Sequence, residues 1–187
     1  MLNYSNVIEN DKSYPGLQMR EIKPVMKLII RGKKRQFLSA VGKSLNLLLP
    51  NEANTSSRSD QLTALWLSPD EWMIFSNEVL KSDDNNYDVE KLLNKNVCKT
   101  NLGAVTDATD QFVLINLKGD KIFDLFETGS PFNFNDFKSR KGLVTQTILT
   151  KIDIIVYNQG INDVNLFVRR SFSDHLFSWM NDSASRL

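Results

Sequence analysis

Residues 62–75 read LTALWLSPDEWMIF and residues 144–157 read VTQTILTKIDIIVY. Each is an apolar run, a short polar break and a second apolar run, the pattern of strand, turn and strand. The same arrangement stands upstream of both. LIIRG (28–32) leads into helical spacing and then Gly42; LINLKG (114–119) leads into helical spacing and then Gly129, with ten residues from glycine to glycine in each half. This repetition predicts a duplicated strand-helix-strand-strand-helix unit, and hence an α+β fold with helices packed on antiparallel sheet.

Outward from these segments, residues 25–31 read as a strand, and Phe37, Leu38, Val41 and Leu45 recur at helical spacing. Val89, Leu92, Leu93 and Val97 mark a short amphipathic helix, and residues 99–106 can return as a strand. In the second half the expected elements are a strand at 111–117, a helix around Ile122–Phe126, strands at 144–149, 152–157 and 165–170, and a helix at 172–180. Residues 1–24 carry Pro15, Gly16 and Pro24 and read as an extended arm, with one short strand at 17–22, that frays or lies on a partner. NEANTSSRSDQ (51–61) and KSDDNNYD (81–88) read as surface loops. The expectation is one domain over 1–187, with pseudo-repeat halves at 25–107 and 108–181.

The composition narrows the function classes. Eleven Phe, three Trp and 41% hydrophobic residues are enough for a sizeable core. The 23 basic and 22 acidic residues nearly balance, which gives no polyanion-binding signal for nucleic acid. One cysteine, Cys98, and one histidine, His175, provide neither an internal disulfide nor a metal cage. The charged first twenty residues lack the apolar run of a signal peptide, and the apolar runs elsewhere are far short of the roughly 18 residues of a membrane span, so a soluble cytoplasmic protein is expected.

Candidate chemistry is sparse. Asp70 and Glu71 form an acidic pair between two tryptophans, but Ser68-Pro69-Asp70 has turn chemistry, and adjacent extended residues point to opposite faces. Gly42-Lys43-Ser44 lacks the earlier glycine of a phosphate loop, since position 37 is Phe, and it ends a helix where such a loop would begin one. Cys98 follows an amphipathic run and reads as core filler. In FVRRSFSDHLFSWM (167–180), Ser173 can cap a helix with Asp174 in its first turn, and Phe172, Leu176, Trp179 and Met180 make a core-facing stripe. Arg169, Arg170 and His175 are then left at a surface, available to a partner carboxylate or phosphate.

LWLSPDEWMIF (65–75), Asp107-Ala108-Thr109-Asp110, LKGDKIFDLFETGSPFNF (117–134), and RRSF (169–172) followed by HLFSWM (175–180) together resemble the gamma subunit of heterotetrameric sarcosine oxidase. The resemblance is collinear over roughly residues 25–181. It departs at Ser68, where Gly is expected, and at Thr109, where Ser is usual. That subunit is similar in turn to the folate-binding aminomethyltransferase of the glycine cleavage system, whose fold contains duplicated ferredoxin-like units. The Asp-Leu-Ser of that enzyme matches Asp107-Ala108-Thr109, its Leu-Arg-Gly matches Leu117-Lys118-Gly119, and its helical Trp matches Trp179. Its Gly-Gly turn leading into Asp-Asp-Leu-Ile-Val-Tyr corresponds to Thr150-Lys151 followed by Ile152-Asp153-Ile154-Ile155-Val156-Tyr157, so the glycines and one acid are absent. Where it has Val-Asn this chain has Val168-Arg169. Lys141 to Gln146 follows the outline of the related iron-sulfur maturation motif without its cysteine.

The resemblance implies a non-catalytic gamma subunit that serves assembly through contact with the alpha subunit. The complex would oxidatively demethylate sarcosine to glycine, pass the one-carbon unit to tetrahydrofolate and reduce oxygen to hydrogen peroxide. It implies FAD, FMN, NAD and tetrahydrofolate on the larger alpha and beta subunits and zinc on the small delta subunit, with no cofactor on this chain. The expected interface residues are the arm before Pro24, Arg169, Arg170 and His175. The alternative is a stand-alone folate-binding protein or aminomethyltransferase-like enzyme of the same fold, with Asp107 and Asp153 as polar ligands.

Overall fold

A computed structural model describes residues 6–8, 11–79 and 88–187. The first part of the chain contains β1 (Lys12–Tyr14), β2 (Leu17–Glu21), β3 (Lys27–Arg31), α1 (Arg35–Leu45), β4 (Ser56–Arg58), β5 (Leu62–Ser68), β6 (Glu71–Ser76), α2 (Asp88–Leu93), a π-type turn at Asn94–Cys98 and β7 (Ala104–Asp107). The second contains β8 (Phe112–Lys118), α3 (Ile122–Glu127), α4 (Asn135–Ser139), β9 (Val144–Leu149), β10 (Ile152–Gly160), β11 (Asp163–Arg169) and α5 (Arg170–Ala184). Most of the loop expected at 81–88 lies outside the described residues; Asp88 opens α2.

The chain divides into two compact units, Pro24–Asp110 and Met1–Lys23 with Gln111–Leu187. In the first, the strand order is β4-β5-β6-β3-β7, with every pairing antiparallel. Without β4 this is the ferredoxin-like arrangement, in which the last strand flanks the first. Its core is built from alternate positions of the strands and the buried stripe of α1. Phe37 is fully buried with its ring centroid 5.8 Å from that of Trp72, whose indole N–H donates to the Pro50 carbonyl at 2.8 Å. Gly32 and Gly103 leave room for Phe37: a Cβ on Gly32 would lie 2.4 Å from the ring, and one on Gly103 would lie 2.3 Å from the Arg31 carbonyl oxygen.

The second unit has the order β1-β2-β8-β11-β10-β9, again antiparallel where paired. Here β11 follows β10 through a tight hairpin and enters between β10 and β8. The outer place beside β8 goes to β2, from the start of the chain. Residues 12–21 of the segment before Pro24, expected as an arm that frays or lies on a partner, are therefore integral to this sheet. Leu17 and Met19 are buried in the core because alternate residues of β2 point the same way as Val113, Ile115 and Leu117 of β8. The segment is tied further by Ile8 N–H, which donates to Glu21 Oε2 at 2.8 Å, and by Tyr14 O–H, which donates to Asn181 Oδ1 at 2.6 Å.

The core of this unit is an aromatic cluster. Phe123, Phe126, Phe132, Phe134 and Phe137 have neighbouring centroids between 4.8 and 6.3 Å, mostly tilted or edge-on. Full burial of rings such as Phe126 and Phe134 contributes about 1.5–3 kcal/mol each.

Candidate functional site

Phe112 opens β8 and pairs with Arg169 at the end of β11. Beside them on the sheet, Ile154 of β10 pairs with Val168 on one side and with Thr147 of β9 on the other. These strand ends enclose a groove of about 560 Å³ lined by Phe112, Gln146, Ile148, Asp153, Ile155 and Arg169, with Thr147 and Ile154 contributing as well. The alternation of β10 decides what faces it. Ile152, Ile154 and Val156 belong to the phenylalanine-rich core, so Asp153 projects from the opposite face. Among the described residues, neither the Asp153 carboxylate nor the exposed Arg169 guanidinium has a hydrogen-bond or ion-pair partner.

The groove thus brings together two of the residues singled out from sequence: Asp153, proposed for a folate site, and Arg169, proposed for an interface. It does not take in the others. Arg170 is half-buried where α5 begins, with its N–H donating to the Gln111 carbonyl at 2.9 Å, and His175 is exposed on α5. Asp107 lies in the other unit, where its Oδ1 accepts the Thr109 N–H at 2.8 Å and closes a turn. Buried Lys27 secures that turn, with Nζ donating to the Thr109 carbonyl at 2.9 Å and the Val25 carbonyl at 3.0 Å. The Asp107-Ala108-Thr109 signature therefore has a structural use as a turn.

Two sequence readings change on this geometry. Ile152, at the position of an acid in the aminomethyltransferase pattern, is 8% exposed and packs in the core, so its identity concerns packing; the groove sees Asp153. Thr150 and Lys151, where that pattern has Gly-Gly, have φ of 51° and 70°. Glycine adopts that conformation at least cost, so its absence strains a turn and removes no chemical group.

The C-terminal helix also starts earlier than expected. It runs from Arg170, and Ser173 is no cap: it is buried in the first turn with Oγ donating back to the Arg170 carbonyl at 2.7 Å. The buried stripe is accordingly Ser173, Leu176, Phe177, Met180 and Ala184, while Phe172 is 50% exposed and Trp179 packs over Gly129. Cys98, expected as core filler, is only partly buried within the π-type turn.

The acidic pair at the tryptophan hairpin has no catalytic arrangement. Asp70 Oδ1 accepts the Ser68 hydroxyl at 2.9 Å, and its other oxygen lies 3.6 Å from Arg31 and 3.8 Å from Lys33; Glu71 is 3.9 Å from Arg31. The Ser68 hydrogen bond, with Arg31 and Lys33 beside it, holds the Asp70 carboxyl below its ordinary pKa. Asp70 stays ionised and locks the tip to β3, with Gly32 N–H donating to the Asp70 carbonyl at 3.0 Å.

The family model for the sarcosine oxidase, gamma subunit family matches residues 32–186. The chain belongs to the sarcosine oxidase gamma subunit family. Among solved structures it is similar to a chain of the heterotetrameric sarcosine oxidase from Corynebacterium sp. U-96, studied in complex with pyrrole 2-carboxylate. The TM-score is 0.81 at 19% identity, over 91% of this chain and 84% of that one. It is also similar to the glycine cleavage system aminomethyltransferase T from Bartonella henselae, with a TM-score of 0.63 at 13% identity, over 90% of this chain and 46% of that one. The chain therefore spans about half the length of that aminomethyltransferase. No curated protein sequence matches. Among the described residues, no group of acids, His or Cys is placed to hold a metal, and no helix is long and apolar enough to cross a membrane.

Proposed function

We propose that this chain is the non-catalytic gamma subunit of a cytoplasmic heterotetrameric sarcosine oxidase and serves its assembly through contact with the alpha subunit. The observation that carries this reading is the use to which the family's distinctive residues are put. In residues 117–134, Ile122, Phe123, Leu125, Phe126 and Phe134 fill the core, and Gly119 makes a close backbone approach. In residues 65–75, Trp72 packs and the acids tie a hairpin tip. A sequence whose identifying residues go to packing and turns supports a scaffold. In this reading the flavins, NAD, folate and zinc reside on partner subunits, and Arg169, Arg170 and His175 are offered to a partner.

Affinity capture of the chain, tagged at its native locus, tests the proposal through the subunit masses and visible spectrum of the eluate. Larger subunits arriving with a flavin spectrum are expected. Elution alone and without colour would overturn the reading.

A further inference from the structure

Between Ile22 and Asn51 the chain carries seven of its 23 basic residues and none of its 22 acidic ones, although the whole has a net charge of only +1. The structure accounts for three of the seven. Lys27 is buried among backbone carbonyls, and Arg31 and Lys33 face the Asp70–Glu71 tip. The exposed face of α1 is different. Lys34, Arg35 and Lys43 lie there beside Gln36, Ser39 and Ala40 along a shallow surface groove, and among the described residues no carboxylate pairs with any of the three. Two of the cations open the helix, Lys34 at the N-cap without a side-chain cap and Arg35 in a first turn that holds no acidic residue. Cations at a helix N-terminus oppose the helix dipole, so this end of α1 is electrostatically uncompensated within the described unit. Next to the basic stripe are two exposed apolar side chains, Leu38 at 36% and Leu48 at 82% exposure.

We propose that this face of α1 is a docking surface for an acidic segment of a larger sarcosine oxidase subunit, a step that rests on the gamma-subunit reading. The occupant's carboxylates would neutralise Lys34, Arg35 and Lys43 and complement the helix N-terminus, while an apolar side chain covers Leu38 and Leu48. Charge complementarity favours an acidic peptide over a nucleic acid. The cations are few and bordered by leucines, and the aromatic residue of α1, Phe37, is fully buried and so presents no ring for a base to stack on.

The test uses the assembled complex. Treatment with a carbodiimide, which joins lysine amines to contacting carboxylates, is followed by mass spectrometry of the linked peptides. Cross-links from Lys34 or Lys43 to Asp or Glu of another subunit are expected. In parallel, the triple variant K34E/R35E/K43E is co-expressed with the other subunits. Its co-purification should fall roughly tenfold or more, and the salt dependence seen with the wild type should flatten. Because all three side chains are exposed, the circular dichroism of the variant should match the wild type, and its thermal unfolding should be no lower, since K34E and R35E place carboxylates at a helix N-terminus.

Assembly of the variant as tight as wild type, without cross-links from either lysine, would overturn the proposal. So would nucleic acid that co-purifies with the wild-type chain and is lost in the variant while assembly is unchanged. If the wild-type chain itself assembles with nothing, the gamma-subunit reading falls and takes this inference with it.

Discussion

In the unit formed by Pro24–Asp110, the strand flanking the first ferredoxin-like strand comes last, as β7; in the other unit the corresponding strand, β2, comes first. The two occupy equivalent places. Arg31, just before Gly32, pairs with Ala104; Lys118, just before Gly119, pairs with Gln18. A glycine stands close by in each, Gly103 one residue before Ala104 and Gly16 two residues before Gln18, and each approaches the chain closely at the end of the strand it flanks. Sheet geometry is thus kept while chain order is permuted. An outer strand needs only a ladder partner and an apolar face to bury, and a segment from either end of the chain can supply both.

The largest effect should come from removing that permuted strand. Deletion of residues 1–23 exposes the core faces of β8 and α5 and strips Leu17 and Met19 from the interior. The loss is about 5 kcal/mol or more, comparable with the whole stability of a domain. A cooperative unfolding signal should disappear from the unit containing β8–β11, measured by hydrogen exchange across those strands. If protection there survives the deletion, the segment is an arm after all, and the correspondence between β2 and β7 is lost.

The glycines give a finer comparison. Gly119 has φ of +127°, and a Cβ there would lie 2.0 Å from the backbone oxygen of Gly16, which has no side-chain freedom with which to yield. Gly32 is not at positive φ, and its three nearest contacts are atoms of the Phe37 ring, a side chain and not backbone. Gly119→Ala should therefore cost about 3–4 kcal/mol and Gly32→Ala about 2 kcal/mol, read as shifts in urea midpoint at unchanged slope. Equal costs would mean that the two turns are interchangeable and that the backbone approach at Gly16 is softer than drawn.

The duplication was legible because its markers are local. Gly32 and Gly119 and the helical spacing after each leave patterns within a few residues. The hairpin at 144–157 is not the counterpart of the one at 62–75, however: β6 pairs with β3 and β11 with β8, so β5–β6 corresponds to β10–β11, and β9 takes the outer place that β4 holds in the other unit. Three further things were not legible. The place of β2 depends on pairing with a strand nearly a hundred residues away, and a five-residue strand between Pro-Gly and Pro reads equally well as an arm. The start of α5 was misplaced because Ser173-Asp174 has the chemistry of a cap, but β11 runs directly into the helix and Ser173 bonds backward instead. Finally, Asp153 and Arg169 were assigned to different hypotheses. Only the register of β10 with β11 shows that they line one groove, and a single sequence does not encode that register in any local signal.

The smallest effect separates two tips that differ in how they are held, without being counterparts in the sheets. The β9–β10 turn is Thr150-Lys151, two residues at positive φ; the β5–β6 turn is anchored by an ionised carboxylate instead. Asp70 has its folded pKa lowered first by the Ser68 hydroxyl and then by Arg31 and Lys33. A depressed folded value means that Asp70 contributes stability above its unfolded pKa. That contribution is lost as pH falls through the folded value. Ser68→Ala removes the leading cause, so the Asp70 titration, followed by NMR of its side-chain carboxyl, should move up toward the ordinary carboxylate range, and the acid limb of stability should flatten. Arg31→Gln should move it in the same direction by less, because a guanidinium 3.6 Å away at an exposed surface is screened by solvent while the hydroxyl hydrogen bond is direct. If the two substitutions exchange rank, the tip is held by its charges. Ser68 would then be only a turn residue.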